Sequence, residues 1–217
     1  CSSDLVAVTA TADRTLSADA LGGALSLGGA AGVAAAVIDV GGSTRAVVGN
    51  ADIGQAPGQS VAEVSVTAGS EAELDADAKA LAGGLALPGT PPLGLTGSFA
   101  MARFAPTVEA GVLDGARIAG DGDVLIRAAS AGRVTADAFG IGAAGVGIGL
   151  AGSLAMAESR PTLRAHIGAA AVLAAGSIQV EASHNETFGD TTRASATAGA
   201  GGLVGGAAGA VALATAG

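Results

Sequence analysis

The chain repeats itself. The tripeptide Ala18-Asp19-Ala20 returns as Ala76-Asp77-Ala78, as Ala136-Asp137-Ala138 and, weakened, as Ala194-Ser195-Ala196, in steps of 58, 60 and 58 residues. A second anchor lies upstream of each: Val8-Thr9-Ala10 matches Val66-Thr67-Ala68, Ile126-Arg127-Ala128 and Val180-Glu181-Ala182. Self-similarity at a fixed period marks solenoids and related arrays, in which each unit buries its apolar face only against its neighbours.

A third landmark keeps its order but not its spacing. Thr44-Arg45-Ala46-Val47, Pro106-Thr107-Val108-Glu109-Ala110 and Pro161-Thr162-Leu163-Arg164-Ala165 stand 64 and then 55 residues apart at their Ala positions, which predicts connecting loops of different length. The extra length in the second copy includes Pro88-Gly89-Thr90-Pro91-Pro92, where locked rings and missing amide donors exclude regular strand or helix. The copies run approximately over 4–62, 63–122, 123–176 and 177–217, the last incomplete. Asp4-Leu5-Val6 aligns with Asp123-Val124-Leu125, so the repeat opens at once after Cys1, and Gly217 precedes the fourth Thr-x-Arg-Ala segment. The chain therefore reads as a piece of a longer array, without a polar cap at either end.

Alternation inside each copy is that of strands. Val124, Ile126 and Ala128 alternate with Leu125, Arg127 and Ala129, and Leu163, Ala165 and Ile167 with Arg164 and His166. Helix is disfavoured by 37 Gly in 217 residues, each worth about 1 kcal/mol against an interior helical position. Half the residues are hydrophobic but only 2% are aromatic, so the apolar content is Ala, Val, Leu and Ile and the interior must be thin. The predicted class is an all-β solenoid, a β-helix.

Strand-like centres in the third copy fall at Ile126, Val146 to Ile148 and Ile167, about 20 residues apart, which suggests about three coils per repeat. The alternative is one wide coil of some 58 residues, which stacks Asp19, Asp77 and Asp137 directly. Like charges in such a ladder repel by about 1 kcal/mol per pair even in bulk water. The three-coil arrangement relieves this and is the one expected.

Phe139 to Ala157, FGIGAAGVGIGLAGSLAMA, is uncharged over a bilayer-spanning helical length and holds the pair Gly145 and Gly149 in GxxxG spacing. The matching stretches of the other copies carry prolines or Asp39 with Gly41-Gly42, so a buried strand is the better reading. Cys1 at the head of Cys-Ser-Ser-Asp resembles the acylated cysteine of a bacterial lipoprotein, but the repeat starts with no tether, which favours an interior residue at a fragment boundary.

Nineteen acidic residues against 10 basic ones give a net charge of -9, which removes the electrostatic basis for binding nucleic acid or an anionic membrane. One Cys permits no internal disulfide. The best chemical cluster is Glu71, Glu73, Asp75 and Asp77, four carboxylates at every second position of one strand and hence on one side. Such a face suits Ca²⁺ through hard oxygen ligands or the acid/base pair of a polysaccharide-degrading β-helix; a solvated strand face is the plainer reading. Gly120-Asp121-Gly122-Asp123 reads as a turn, and His166 and His184 as surface residues without a partner. Asn185-Glu186-Thr187 matches a glycosylation sequon. No nucleophile elbow or phosphate loop appears, and no catalytic residue or cofactor site is assigned.

Two runs, GDVLIRAASAGRVTADAFG at 122–140 and GLAGSLAMAESRPTLRAHIGAAAVLAAGSIQVEAS at 149–183, resemble the repeats of very large bacterial surface adhesins, the filamentous haemagglutinin and leukotoxin-like filamentous adhesin group. The resemblance spans nearly the whole chain and rests on an order of landmarks. It implies a secreted or cell-surface β-solenoid stalk or fibre without catalytic residues. The chain departs from such repeats in having few Asn before the x-Ala-x-Ile segment. The resulting expectation is a structural segment of an extracellular bacterial fibre or adhesin stalk. It self-associates into filaments by end-to-end strand stacking and meets a host or neighbouring-cell surface ligand. The alternatives are a membrane-inserting toxin segment and a β-helical carbohydrate-active enzyme acting through Glu73 and Asp75.

Overall fold

A computed structural model of the chain describes residues 4–54, 61–86, 88–89, 92–169, 171–174, 176–186 and 192–217. The first coil contains β1 (Asp4–Leu27), β2 (Gly29–Val40), β3 (Ser43–Val48) and the short β4 (Asp52–Ile53). The second holds β5 (Val61–Leu85), β6 (Leu93–Phe104) and β7 (Thr107–Val112), and the third β8 (Arg117–Ala144), β9 (Ile148–Ser159) and β10 (Thr162–Ile167). The fourth comprises β11 (Ala171–Ala174), β12 (Ile178–His184), β13 (Thr192–Gly202) and β14 (Gly205–Ala216). Strands stack in parallel into three sheets: β1-β5-β8 continued by β11, β12 and β13 (sheet I), β2-β6-β9-β14 (sheet II) and β3-β7-β10 (sheet III). The chain is the β-solenoid its periodicity predicts.

The number of coils is corrected by the register. Val8 pairs with Val66, Val66 with Ile126 and Ile126 with Val180, while Asp19, Asp77, Asp137 and Ser195 follow the same ladder. One repeat is therefore one wide coil, not three. The three strand-like centres per copy belong to three strands of that single coil, β8, β9 and β10 in the third copy. Electrostatic repulsion of about 1 kcal/mol per exposed Asp pair is too small to oppose a register that places each inner Ala, Val or Leu on its counterpart along the whole strand. Ala46, Ala110 and Ala165 also align as expected. Asp123, by contrast, stacks through Glu63 on Leu5 rather than Asp4, in the same steps of 58 and 60 residues as the Asp ladder; just upstream, Asp4 pairs with Val61 and Val61 with Gly120, so β5 carries one extra residue there and β8 two. That irregularity holds Gly120 to Asp123, which lies in strand β8 and is not a turn.

Each coil is flattened into two layers. Sheet I faces sheets II and III, which lie end to end along it. One core cluster joins Val64, Val66, Ile126 and Ile118 of sheet I to Val108 and Val112 of sheet III. The other joins Leu74, Ala76, Ala78 and Val134 to Ala100, Ala102 and Phe104 of sheet II. Between them runs an inward row of Ser70 and Ser130 stacked on His184. The sheet II to sheet III joint falls at Gly41-Gly42, Ala105-Pro106 and Arg160-Pro161; Gly42 has φ +113°, and its carbonyl accepts from the Thr107 amide as that of Pro106 does from Thr162. A proline at this joint interrupts no strand interior.

Inward side chains shrink along the coil from Val and Ile, through Ala, to Gly, so the section is a wedge. At its thin end the two layers touch backbone to backbone. A Cβ on Gly84 would stand 2.8 Å from the carbonyl oxygen of Leu93, and Gly22, Gly94 and Gly142 face carbonyl oxygens in the same way. Phe139 to Ala157 turns out to be two strands of this edge, the end of β8 and most of β9, joined across Gly145 to Gly147. Among the described residues no helix is long and apolar enough to cross a membrane.

Val66 and Ile126 are fully buried in the middle rungs, Val8 is half-buried, and Val180, on the last rung, is 45% exposed. Burial needs a neighbouring coil above and below.

Candidate functional site

Charge gathers on the outer face of sheet I. Because inner positions of β5 are taken by Ala72, Leu74, Ala76 and Ala78, strand alternation turns Glu71, Glu73, Asp75 and Asp77 all outward, as expected. Stacking then adds what a single repeat does not reveal: Asp13 lies beside Glu71, and Asp19 and Asp137 flank Asp77 on either side. Seven carboxylates thus share one face.

Two cations answer them. Lys79 binds Asp77, and the resulting hydrogen bond raises the Lys79 pKa. Arg133, directly opposite Glu73 across the ladder, reaches it at 3.4 Å. Asp75 is the carboxylate held above its ordinary range, by desolvation first and then by Asp137, Asp77, Asp19 and Glu73. Carboxylates two residues apart on one strand are about 6.6 Å apart at their stems, and Ca²⁺ wants oxygens at about 2.3–2.6 Å. Among the described residues no three His, Cys, Asp or Glu side chains converge to hold a metal ion. Glu71 and Glu73, with Asp13, Arg14 and Arg133, line an open hollow of about 310 Å³.

Elsewhere the stacked charges alternate in sign. Arg45 meets Glu109 at 2.8 Å, and Glu158 receives Arg103 at 3.6 Å and Arg160 at 3.0 Å. These rows hold rungs together with pairs worth at most about 1 kcal/mol each at the surface.

The histidines are not plain surface residues. His166 packs over Gly111, with Nε2 3.8 Å from Glu109, and its side chain is only 20% exposed. His184 ends the inward serine row; burial pushes its pKa down, and the Ser130 backbone offsets part of that. Asn185 of the sequon adopts φ +56° and accepts the Gly132 amide at 2.8 Å through Oδ1, while Thr187 and Cys1 lie outside the described residues.

Two polar features escaped sequence reading. Asp123 accepts both the amide (2.6 Å) and hydroxyl (3.0 Å) of Ser177, which lowers its pKa. Ser98 donates to Ser153 at 2.8 Å, and Ser153 donates to the Thr197 carbonyl at 2.7 Å, a polar thread through the Ala-lined interior. Both link residues more than 40 positions apart, and single-copy reading has no signal for them.

Sheet II has the opposite character outside. Val33, Val37, Leu95, Leu150, Leu154 and Val211 are all exposed, and the charged row Asp39, Arg103, Glu158 closes the face at one end.

Comparisons with protein-family models, with curated proteins and with solved structures give no match.

Proposed function

We propose that this chain is a structural module, a segment of an extracellular bacterial fibre or adhesin that assembles by stacking coil on coil. The observation that carries the reading is the open register. β5 takes β1 on one side and β8 on the other in the same parallel pairing, and β6 does the same with β2 and β9. Parallel pairing of this kind is open-ended: a further coil adds on the same terms as those already stacked, whether from the same chain or from another copy.

The wide coil sets what such a module delivers. β1, of 24 residues, traces about 79 Å, whereas each whole repeat advances the stack by only about 4.8 Å. Four coils make a plate, broad and thin, with large faces and little reach. A cell-surface fibre built from it gains length only by adding many coils, and a host or neighbouring-cell ligand would meet a face, not a tip. The secreted location and adhesin character rest on the repeat resemblance.

Cryo-electron microscopy of the purified chain tests this. Fibres with strands stacked at about 4.8 Å and a subunit repeat of about 19 Å are expected; discrete particles at all concentrations would remove end-to-end assembly.

A further inference from the structure

We propose that the outer face of sheet II is a docking surface for a second copy of this chain, pairing two plates face to face. The face is a four-stranded parallel array of 12-residue strands, β2-β6-β9-β14. At about 3.3 Å per residue and about 4.8 Å per strand it covers about 760 Å² before corrugation. That matches the roughly 800 Å² per partner of a standard stable interface, and its apolar part, five of the six outward rows or about 630 Å², stands at the upper limit of the largest apolar patch a monomer ordinarily leaves bare, about 300–600 Å². Its anatomy is that of an interface, with an apolar centre and a charged row at one rim.

Relief on the face points to a like surface as the occupant. On β6, β9 and β14, Phe99, Leu154 and Val211 stack in register into a ridge and Gly97, Gly152 and Gly209 into a trough beside it; on β2 the sizes reverse, with Val33 in the trough row and Ala35 in the ridge row. The groove they define holds about 580 Å³. A Cβ at any of these three glycines would meet nothing within 4 Å, so no inner contact fixes the choice of Gly there, in contrast to the glycines at the thin edge. A ridge beside a parallel trough of the same pitch is self-complementary: a second copy turned by a two-fold axis lays its ridge in this trough and receives this ridge in its own. Sheets packed face to face about 10 Å apart bury ridges of this size.

Lipid is the weaker occupant. The charged row Asp39, Arg103 and Glu158 at its rim would lose its water in hydrocarbon, and an excess of nine negative charges repels anionic surfaces. Face pairing is independent of end-to-end stacking: it closes at two plates, whereas stacking is open-ended.

Sedimentation velocity of the 217-residue chain is the test, with Gly152→Arg as the variant, since that side chain enters the trough from an outward position with room for it. Below the concentration at which fibres form, the wild type sediments as a two-plate species, and Gly152→Arg raises the concentration needed for it at least about tenfold with unchanged far-UV circular dichroism. Gly97→Arg, one rung away and equally open, repeats the measurement if the first variant loses its fold. Electron micrographs of the wild type, which need no variant, show plates paired across sheet II. Pairing that is unchanged in both variants, or a wild type that stays single-plated at about 100 μM, overturns the proposal. So does flotation of the wild type with phosphatidylcholine vesicles in place of pairing, because lipid is then the occupant. Loss of pairing with fibres retained separates this surface from end-to-end assembly.

Discussion

Phe104 is the largest fully buried side chain among the described residues and Gly132 is the hole it fills, and exchanging their sizes tests the fold where its layers meet. Phe104, of β6, is fully buried; a Cβ on Gly132, of the next coil's β8, would stand 2.6 Å from its Cδ1 and 2.8 Å from its Cε1. Phe104→Ala removes a ring from a site that small neighbours cannot refill and costs about 3–5 kcal/mol. Gly132→Ala, in the wild type, drives a methyl group into the ring, which must retreat by about 1 Å for an ordinary contact, at about 1–3 kcal/mol of overpacking. With Phe104 already replaced, the same methyl has space. Gly132 has an ordinary strand backbone, so Ala there then stabilises by about 0.4–1 kcal/mol through the unfolded state. The expected coupling is therefore about 1.4–4 kcal/mol, with a change of sign for Gly132→Ala between backgrounds. Urea unfolding followed by far-UV circular dichroism reads it, since the chain has no Trp or Tyr. Equal effects of Gly132→Ala in both backgrounds would refute the packing of sheet II on sheet I across neighbouring coils.

Ser153→Ala breaks the thread to Ser98 and Thr197 and costs about 1–2 kcal/mol in the same assay, whereas Ser130→Ala, whose hydroxyl has no protein partner, stays within about 0.5 kcal/mol. The raised Asp75 pKa means the folded chain binds more protons than the unfolded chain just above pH 3.8, so this group's contribution falls as pH rises through its folded pKa. Asp75→Asn accordingly raises the melting temperature at pH 7 and loses its advantage toward pH 4; no difference at pH 7 would contradict the acidic face. His184 works in the other direction. With its folded pKa below 6.5, stability falls as pH drops below 6.5 toward that folded value, and His184→Leu flattens the melting temperature between pH 7 and pH 5.

How much was legible follows from what repeats. Four copies of the Ala-Asp-Ala and Val-Thr-Ala anchors determine that the chain is a stacked array, and alternation determines which residues point in, so the outward set Glu71, Glu73, Asp75 and Asp77 was readable from one strand. Composition determined a thin interior. The coil count was not readable, because three strand-like centres per copy describe equally well three coils or one coil with three strands. Only the pairing of Asp77 with Asp19 on one side and Asp137 on the other distinguishes them, and that is a fact about neighbours in space. The same reason hides the seven-carboxylate face, the Ser98–Ser153–Thr197 thread, the Phe104–Gly132 contact and the ridge and trough on sheet II. Each is assembled from residues about one repeat apart, or from two layers of a coil, and is created by register. Sequence by itself determined the period and the inner and outer faces, because both follow from local geometry along a strand; tertiary structure alone decided what each face becomes, because that depends on which rung lies next to which.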